Sequence, residues 1–233
     1  MRTAIVSAMH QELAAVLALL PDEQKQRVAG RDFWVGHLHG QEVVAVLSRI
    51  GKVAAATTAT VLIERFRVDR ILFTGVAGGI APGVNRGEVV VADAFLQHDL
   101  DASPLFPRYE VPLYGRDRFP TDPALTERLA AAAARSLHGA RVHRGLVVSG
   151  DRFVSSASEC RALQTALPDA LAVEMEGAAF AQVCHDYGVP FAAVRTISDR
   201  ADDDAHGDFL SFIDQVASRH SAAIVEAFLA ARP

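Results

Sequence analysis

The strongest constraint on the fold is an alternation. Short apolar runs rich in Val and Ile are interleaved with segments of helical periodicity along all 233 residues. Strands are expected over Thr3–Ser7, Phe33–Leu38, Glu42–Leu47, Arg70–Gly75, Gly87–Ala94, Val142–Val148 and Ala192–Ser198. Helices are expected over Gln11–Leu20, Val53–Phe66, Pro123–Ser136, Ala157–Ala166, Glu176–Tyr187 and Phe209–Ala231. Such interleaving favours an α/β fold with a largely parallel sheet. The pair Phe33–Leu38 and Glu42–Leu47, joined by His39-Gly40-Gln41, reads as a hairpin, so the sheet is expected to be mixed. The Pro-rich stretch 97–122 is the densest irregular segment, and loops of that length usually bind something. One domain is expected over residues 1–233.

Acids stand at the ends of three apolar runs. Glu12 follows Ala4-Ile5-Val6, Glu174 and Glu176 close Leu171-Ala172-Val173, and Asp199 ends the run from Phe191. Burying a carboxylate is costly unless it is paired or hydrogen-bonded, so acids in such surroundings suggest use. Open α/β sheets bind ligands at the carboxyl ends of their strands, where these acids fall. Gly75, Gly78 and Gly79 form an expected glycine turn after the fourth strand, which would let a ligand approach the backbone. That turn is neither a Walker A loop nor a full dinucleotide fingerprint.

Composition narrows the function classes. A formal net charge of -5 argues against a general nucleic-acid binder. The two cysteines form no C-x-x-C motif, which favours a reducing compartment over a disulfide framework. The N-terminal apolar run is too short for a signal peptide or membrane span, so a cytoplasmic location with no membrane partner is expected. Asp202-Asp203-Asp204 with His206, and His98-Asp99 with Asp101, match no recognised ligand spacing; no metal is expected.

Taken together, Met9…Glu12, Ile50-Gly51-Lys52-Val53-Ala54-Ala55, Thr74-Gly75-x-Ala77-Gly78-Gly79, Val148-Ser149-Gly150-Asp151-x-Phe153, Val173-Glu174-Met175-Glu176 and Ser198-Asp199-x-Ala201-Asp202 form an ordered set. The set resembles the 5'-methylthioadenosine/S-adenosylhomocysteine nucleosidases of the purine nucleoside phosphorylase superfamily. The resemblance implies a single α/β domain around a mixed, twisted sheet flanked by helices, a homodimer, an adenine nucleoside as substrate, and no cofactor. The implied reaction is hydrolysis of the adenine–ribose bond through an oxocarbenium-like transition state, as in glycoside hydrolysis.

By the same resemblance, Glu12 activates water and Asp199 is the acid at adenine N7, with Ser198 beside it. Glu176 and the Met175 backbone hold the ribose hydroxyls, and Gly78 lies near the sugar. Phe153 stacks on adenine, whose edge the Val154 backbone reads. Met9, Ile50 and Phe209 form the pocket for the 5' substituent, which Leu105, Phe106 and Pro112 of a partner subunit complete. Glu174 supports the site without transferring a proton.

Val76, His10, Gln11 and Arg49 depart from the family pattern, which leaves preference among 5' substituents open, including 6-amino-6-deoxyfutalosine. A phosphorylase is the main competing enzyme. Phosphorolysis needs donors for a phosphate dianion, and Phe73 and Val76 stand where phosphorolytic relatives place Arg and Ser or Thr; Arg49 is a possible substitute. A non-catalytic nucleoside-binding protein is the alternative from another class. Each residue taken singly also has a plain reading: Glu12 and Glu176 as acids in first helical turns, Asp199 as a turn residue, the apolar ones as core.

Overall fold

A ten-stranded mixed sheet organises the chain in the computed structural model, which describes residues 1–201, 212 and 216–231. The strands are β1 (Arg2–Ser7), β2 (Gln24–Val28), β3 (Arg31–Leu38), β4 (Gln41–Leu47), β5 (Arg70–Gly79), β6 (Val89–Gln97), β7 (Arg118–Pro120), β8 (Val142–Ser149), β9 (Ala170–Glu174) and β10 (Phe191–Asp199). The helices among the described residues are α1 (His10–Leu17), α2 (Lys52–Glu64), α3 (Pro123–Ser136), α4 (Ala157–Ala166), α5 (Gly177–Tyr187) and α6 (Ser218–Ala230).

Part of the sheet closes on itself. β5 pairs with β10, β10 with β6, β6 with β8, β8 with β9, and β9 returns to β5. From the edge of β5 opposite β10, four further strands run out in the order β1, β4, β3, β2, and β7 pairs with β6. The length of β5 makes this possible. Thr74 and the residues before it pair with β1, whereas Gly78 and Gly79 pair with β9.

Residues 74–79 are therefore strand, and the expected glycine turn is not formed. Glycine is weak in strands, yet here β10 holds one edge through Gly78 and β9 holds the other at Gly78 and Gly79. Tertiary pairing overrides the local preference.

Other elements follow local chemistry. Asp122 caps α3 by accepting from Leu125 N at 2.8 Å, with Pro123 in the first turn. Ser156 caps α4, and Gly188 ends α5 at φ 63°. The β3–β4 hairpin turns on His39 and Gly40, both at positive φ, as a two-residue turn of matching twist requires.

Two apolar layers cover the sheet. One face packs Phe73, Phe95 and Phe191 against α2 and α5, where Phe73 and Phe180 approach to 4.7 Å between centroids. The other packs Leu72, Val91 and Val194 against α1, α3 and α6. Each fully buried Phe or Leu contributes roughly 1.5–3 kcal/mol, so the fold rests on many such side chains. Among the described residues no helix is long and apolar enough to cross a membrane.

Candidate active site

The closed end of the sheet presents a cleft of about 380 Å³. Met9, Ile50, Gly78, Phe153, Val154, Met175, Glu176, Ser198 and Asp199 all line it, along with Val76 and Glu174. Segments separated by up to 190 positions thus meet at one place. Of the remaining expected site residues, Glu12 does not line the cleft; it is fully buried and hydrogen-bonded to Met9, which does. Phe209, Asp202–Asp204 and His206 lie outside the described residues. Leu105, Phe106 and Pro112 do not line the cleft; they occupy the loop after β6, where Leu105 is almost wholly exposed.

Glu12 is held by α1. Its Oε2 accepts the Met9 N–H at 3.2 Å, reaching back to the start of the helix. Its Oε1 is buried with no hydrogen-bond partner among the described residues. Burial pushes the carboxyl up to about 7, against the lowering effects of the Arg195 charge and the backbone N–H groups. A carboxyl poised near neutrality with one free oxygen suits a general base.

Glu176 begins α5. Its Oε1 accepts the Gly51 N–H at 2.7 Å, which ties the α2 entrance to the cleft. Burial raises its pKa, and the neighbouring Glu174 charge adds to that; the Gly51 N–H and Arg195 oppose it. Gly51 has φ 95°, a backbone shape glycine adopts readily, and that shape aims its N–H at Glu176.

Asp199 closes β10. Ser198 Oγ donates to its Oδ2 at 2.7 Å and Ala201 N to its Oδ1 at 2.8 Å. Gly78 is required beside it: a Cβ there would come within 2.9 Å of Asp199 Oδ1 and 3.0 Å of the Ala201 Cβ.

Glu174 has a different environment from its neighbour. It accepts from Arg195 Nη2 at 2.8 Å and Nε at 3.3 Å, from Gly177 N at 2.8 Å, and from Ser149 Oγ. Ser149 in turn accepts from Ala178 N at 2.8 Å. The carboxylate is fully engaged, which accords with a supporting place.

Arg195 was not singled out by the sequence reading. Its remaining bonds go to the Phe73 and Val194 carbonyls, and its guanidinium lies 4.1 Å from the Phe73 ring centroid. The signal for it was present: one guanidinium inside an otherwise apolar run demands a buried counter-charge. Lys52 binds Asp99 at 2.6 Å and Gln97 at 3.0 Å. Among the described residues no cluster of His, Cys, Asp and Glu is placed to hold a metal.

Comparison with known proteins places the chain in a family. Residues 2–230 match the family model described as the phosphorylase superfamily. The chain is 38% identical over 230 residues to a 5'-methylthioadenosine/S-adenosylhomocysteine nucleosidase of Anoxybacillus flavithermus, covering 97% of each. It superposes on the Neisseria meningitidis nucleosidase of that name, in complex with methylthio-immucillin-A, with a TM-score of 0.93 at 36% identity and 98% coverage of both chains. A futalosine hydrolase of Helicobacter pylori is similar at 32% identity and a TM-score of 0.91, covering 97% of this chain and 96% of that one. The chain belongs to the phosphorylase superfamily and, within it, to the 5'-methylthioadenosine/S-adenosylhomocysteine nucleosidase family.

Proposed function

We propose that this protein hydrolyses the adenine–ribose bond of 5'-methylthioadenosine and S-adenosylhomocysteine, releasing adenine and a 5'-thio-substituted ribose. One observation carries the reading: Glu176 and Asp199 line a single cleft, and the buried Glu12 is hydrogen-bonded to Met9, which lines it too. A binding protein would need neither a base nor an acid.

Roles follow from the surroundings. Glu12 takes a proton from water at the anomeric carbon while Asp199, oriented by Ser198, protonates N7 of the departing adenine. Glu176 accepts from the ribose hydroxyls, aided by the Met175 backbone. Phe153 stacks on the purine, the Val154 backbone reads its edge, and Gly78 admits the sugar. Met9, Ile50 and Phe209 surround the 5' group. The acid–base groups act without cofactor or metal.

The exposed Leu105, with Phe106 and Pro112, supports a homodimer in which this loop completes the partner's 5' pocket. Sedimentation should give twice the chain mass, and Leu105→Asp should shift it toward the monomer and raise KM. The enzyme acts in the cytoplasm.

Phosphorolysis is disfavoured by the cleft. Val76 lines it with an apolar side chain, Arg49 lines the neighbouring cleft instead, and the Arg195 guanidinium is consumed by Glu174 and backbone carbonyls. The test is a panel of methylthioadenosine, adenosylhomocysteine, deoxyadenosine and 6-amino-6-deoxyfutalosine, with and without phosphate. Free thio-ribose formed without phosphate is expected. Ribose 1-phosphate, or strict phosphate dependence, would overturn the proposal.

A further inference from the structure

A second cleft of about 550 Å³ opens beside the first and shares Ala8, Met9 and Ile50 with it. Arg27, Arg31 and Arg49 line it, against one carboxylate, Asp32, among the described residues. Asp32 is already paired with Lys25 at 3.6 Å and Arg27 at 4.0 Å. Among the described residues, Arg31 and Arg49 hydrogen-bond to backbone carbonyls alone: Arg31 to Ala29 at 3.0 Å and Ala54 at 3.2 Å, Arg49 to Gly30.

Arg31 is buried, and its Nε has no acceptor among the described residues. Burial and the nearby Arg49 charge both disfavour its protonated form. Arg49 adds a backbone cost, since a non-glycine residue at φ 65° is strained. Two guanidinium groups held together without a hydrogen-bonded counter-charge among the described residues, one of them on a strained backbone, are a poor choice for stability alone. They are a good choice for an anion that arrives with a ligand.

We propose that this cleft is an anion subsite for the far end of the 5' substituent, where Arg31 and Arg49 receive a terminal carboxylate. The proposal rests on the nucleoside reading of the first cleft, in which Met9 and Ile50 flank the 5' position. The shared chemistry is a flexible arm on C5' that ends in a carboxylate. Adenosylhomocysteine supplies it from its amino-acid end, and 6-amino-6-deoxyfutalosine from an aryl carboxylate. Methylthioadenosine ends in a methyl group and would leave the arginines unused.

The experiment compares kcat/KM for four nucleosides: adenosylhomocysteine, its decarboxylated analogue 5'-(3-aminopropyl)thio-5'-deoxyadenosine, methylthioadenosine and 6-amino-6-deoxyfutalosine. Each is measured on the wild type, Arg49→Gly and Arg31→Gln. Glycine suits φ 65°, so Arg49→Gly keeps the test alive if Arg31→Gln folds poorly. A charge-assisted hydrogen bond lost is worth about tenfold or more. The expected result is a fall of at least about tenfold in the ratio of a carboxylate substrate to methylthioadenosine, carried by KM. The wild type's preference for adenosylhomocysteine over its decarboxylated analogue should vanish too. A fall for the aryl carboxylate alone would identify that arm as the occupant. Ratios unchanged in both variants, with the wild type active on methylthioadenosine, would overturn the subsite and leave the nucleosidase intact. A wild type that cleaves no adenine nucleoside would overturn the functional reading, and the subsite with it.

Discussion

Arg195 donates to Glu174 at 2.8 Å with the two side chains only 1% and 3% exposed, which makes their ion pair the buried hinge of the site. Glu174 passes this contact on to Ser149 and to the start of α5 at Gly177, next to Glu176. Arg195 also lowers the pKa of both Glu12 and Glu176. One guanidinium thus organises three carboxylates.

Breaking that pair should be costly. Glu174→Gln leaves Arg195 buried without its counter-charge, a loss of roughly 3–5 kcal/mol. For a chain of this size each kcal/mol lowers Tm by roughly 2–4 °C, so calorimetry should show a drop of about 6–20 °C. A change under about 2 °C would mean the pair is solvated.

The pH profile should reflect Glu12. As a base it must be ionised, so kcat/KM is expected to fall as pH drops through about 7. Weakening the Arg195 charge removes a lowering influence. Any folded Arg195 variant without that charge should therefore shift the acidic limb to higher pH. An acidic limb near the ordinary carboxylate value of 4.5 would argue against Glu12 as the base.

Stability should move the opposite way. The folded-state pKa of Glu12 is raised from 4.5 to about 7, so the folded protein holds an extra proton between those values. The stability that Glu12 contributes is then fully present below about 4.5 and declines as pH rises from 4.5 through about 7, by up to about 1.4 kcal/mol per pH unit. Glu176, also raised, adds to the same trend. Denaturant midpoints between pH 5 and 8 should fall in the wild type and fall less in Glu12→Gln. An equal slope in that variant would show that Glu12 is not the titrating group.

Gly78→Ala tests the packing around the acid. The new methyl would meet Asp199 Oδ1 and the Ala201 Cβ, so Asp199 must move. We expect kcat to fall tenfold or more, since small displacements of a reacting group are expensive. Unaltered kcat would show that Asp199 has room to spare.

Much of the fold was legible because burial and period coincide. The α3 and α4 bounds follow from Asp122, Pro123 and Ser156, each of which states its cap locally. The missed strands lack that coincidence. β2 reads Gln-Lys-Gln-Arg-Val and is an exposed edge paired only with β3; β7 has three residues; β9 is short. The continuation of β5 past Gly75 to Gly79 was illegible for a different reason: its partners come from β9 and β10, about a hundred residues away. Within the site, Glu176 and Asp199 could be found from their apolar flanks. Arg195 was passed over because its role depends on Glu174, a partner 21 positions distant.

The account depends most on adenine release without phosphate. In phosphate-free buffer, wild-type protein and the Glu12→Gln and Asp199→Asn variants would be mixed with 5'-methylthioadenosine, and free adenine followed with time. The account predicts steady release by the wild type, a loss of roughly 10²–10⁴-fold in each variant, and nucleoside binding by Asp199→Asn within about tenfold of the wild type. Release that begins only when phosphate is added, or that survives in Asp199→Asn at the wild-type rate, would contradict it.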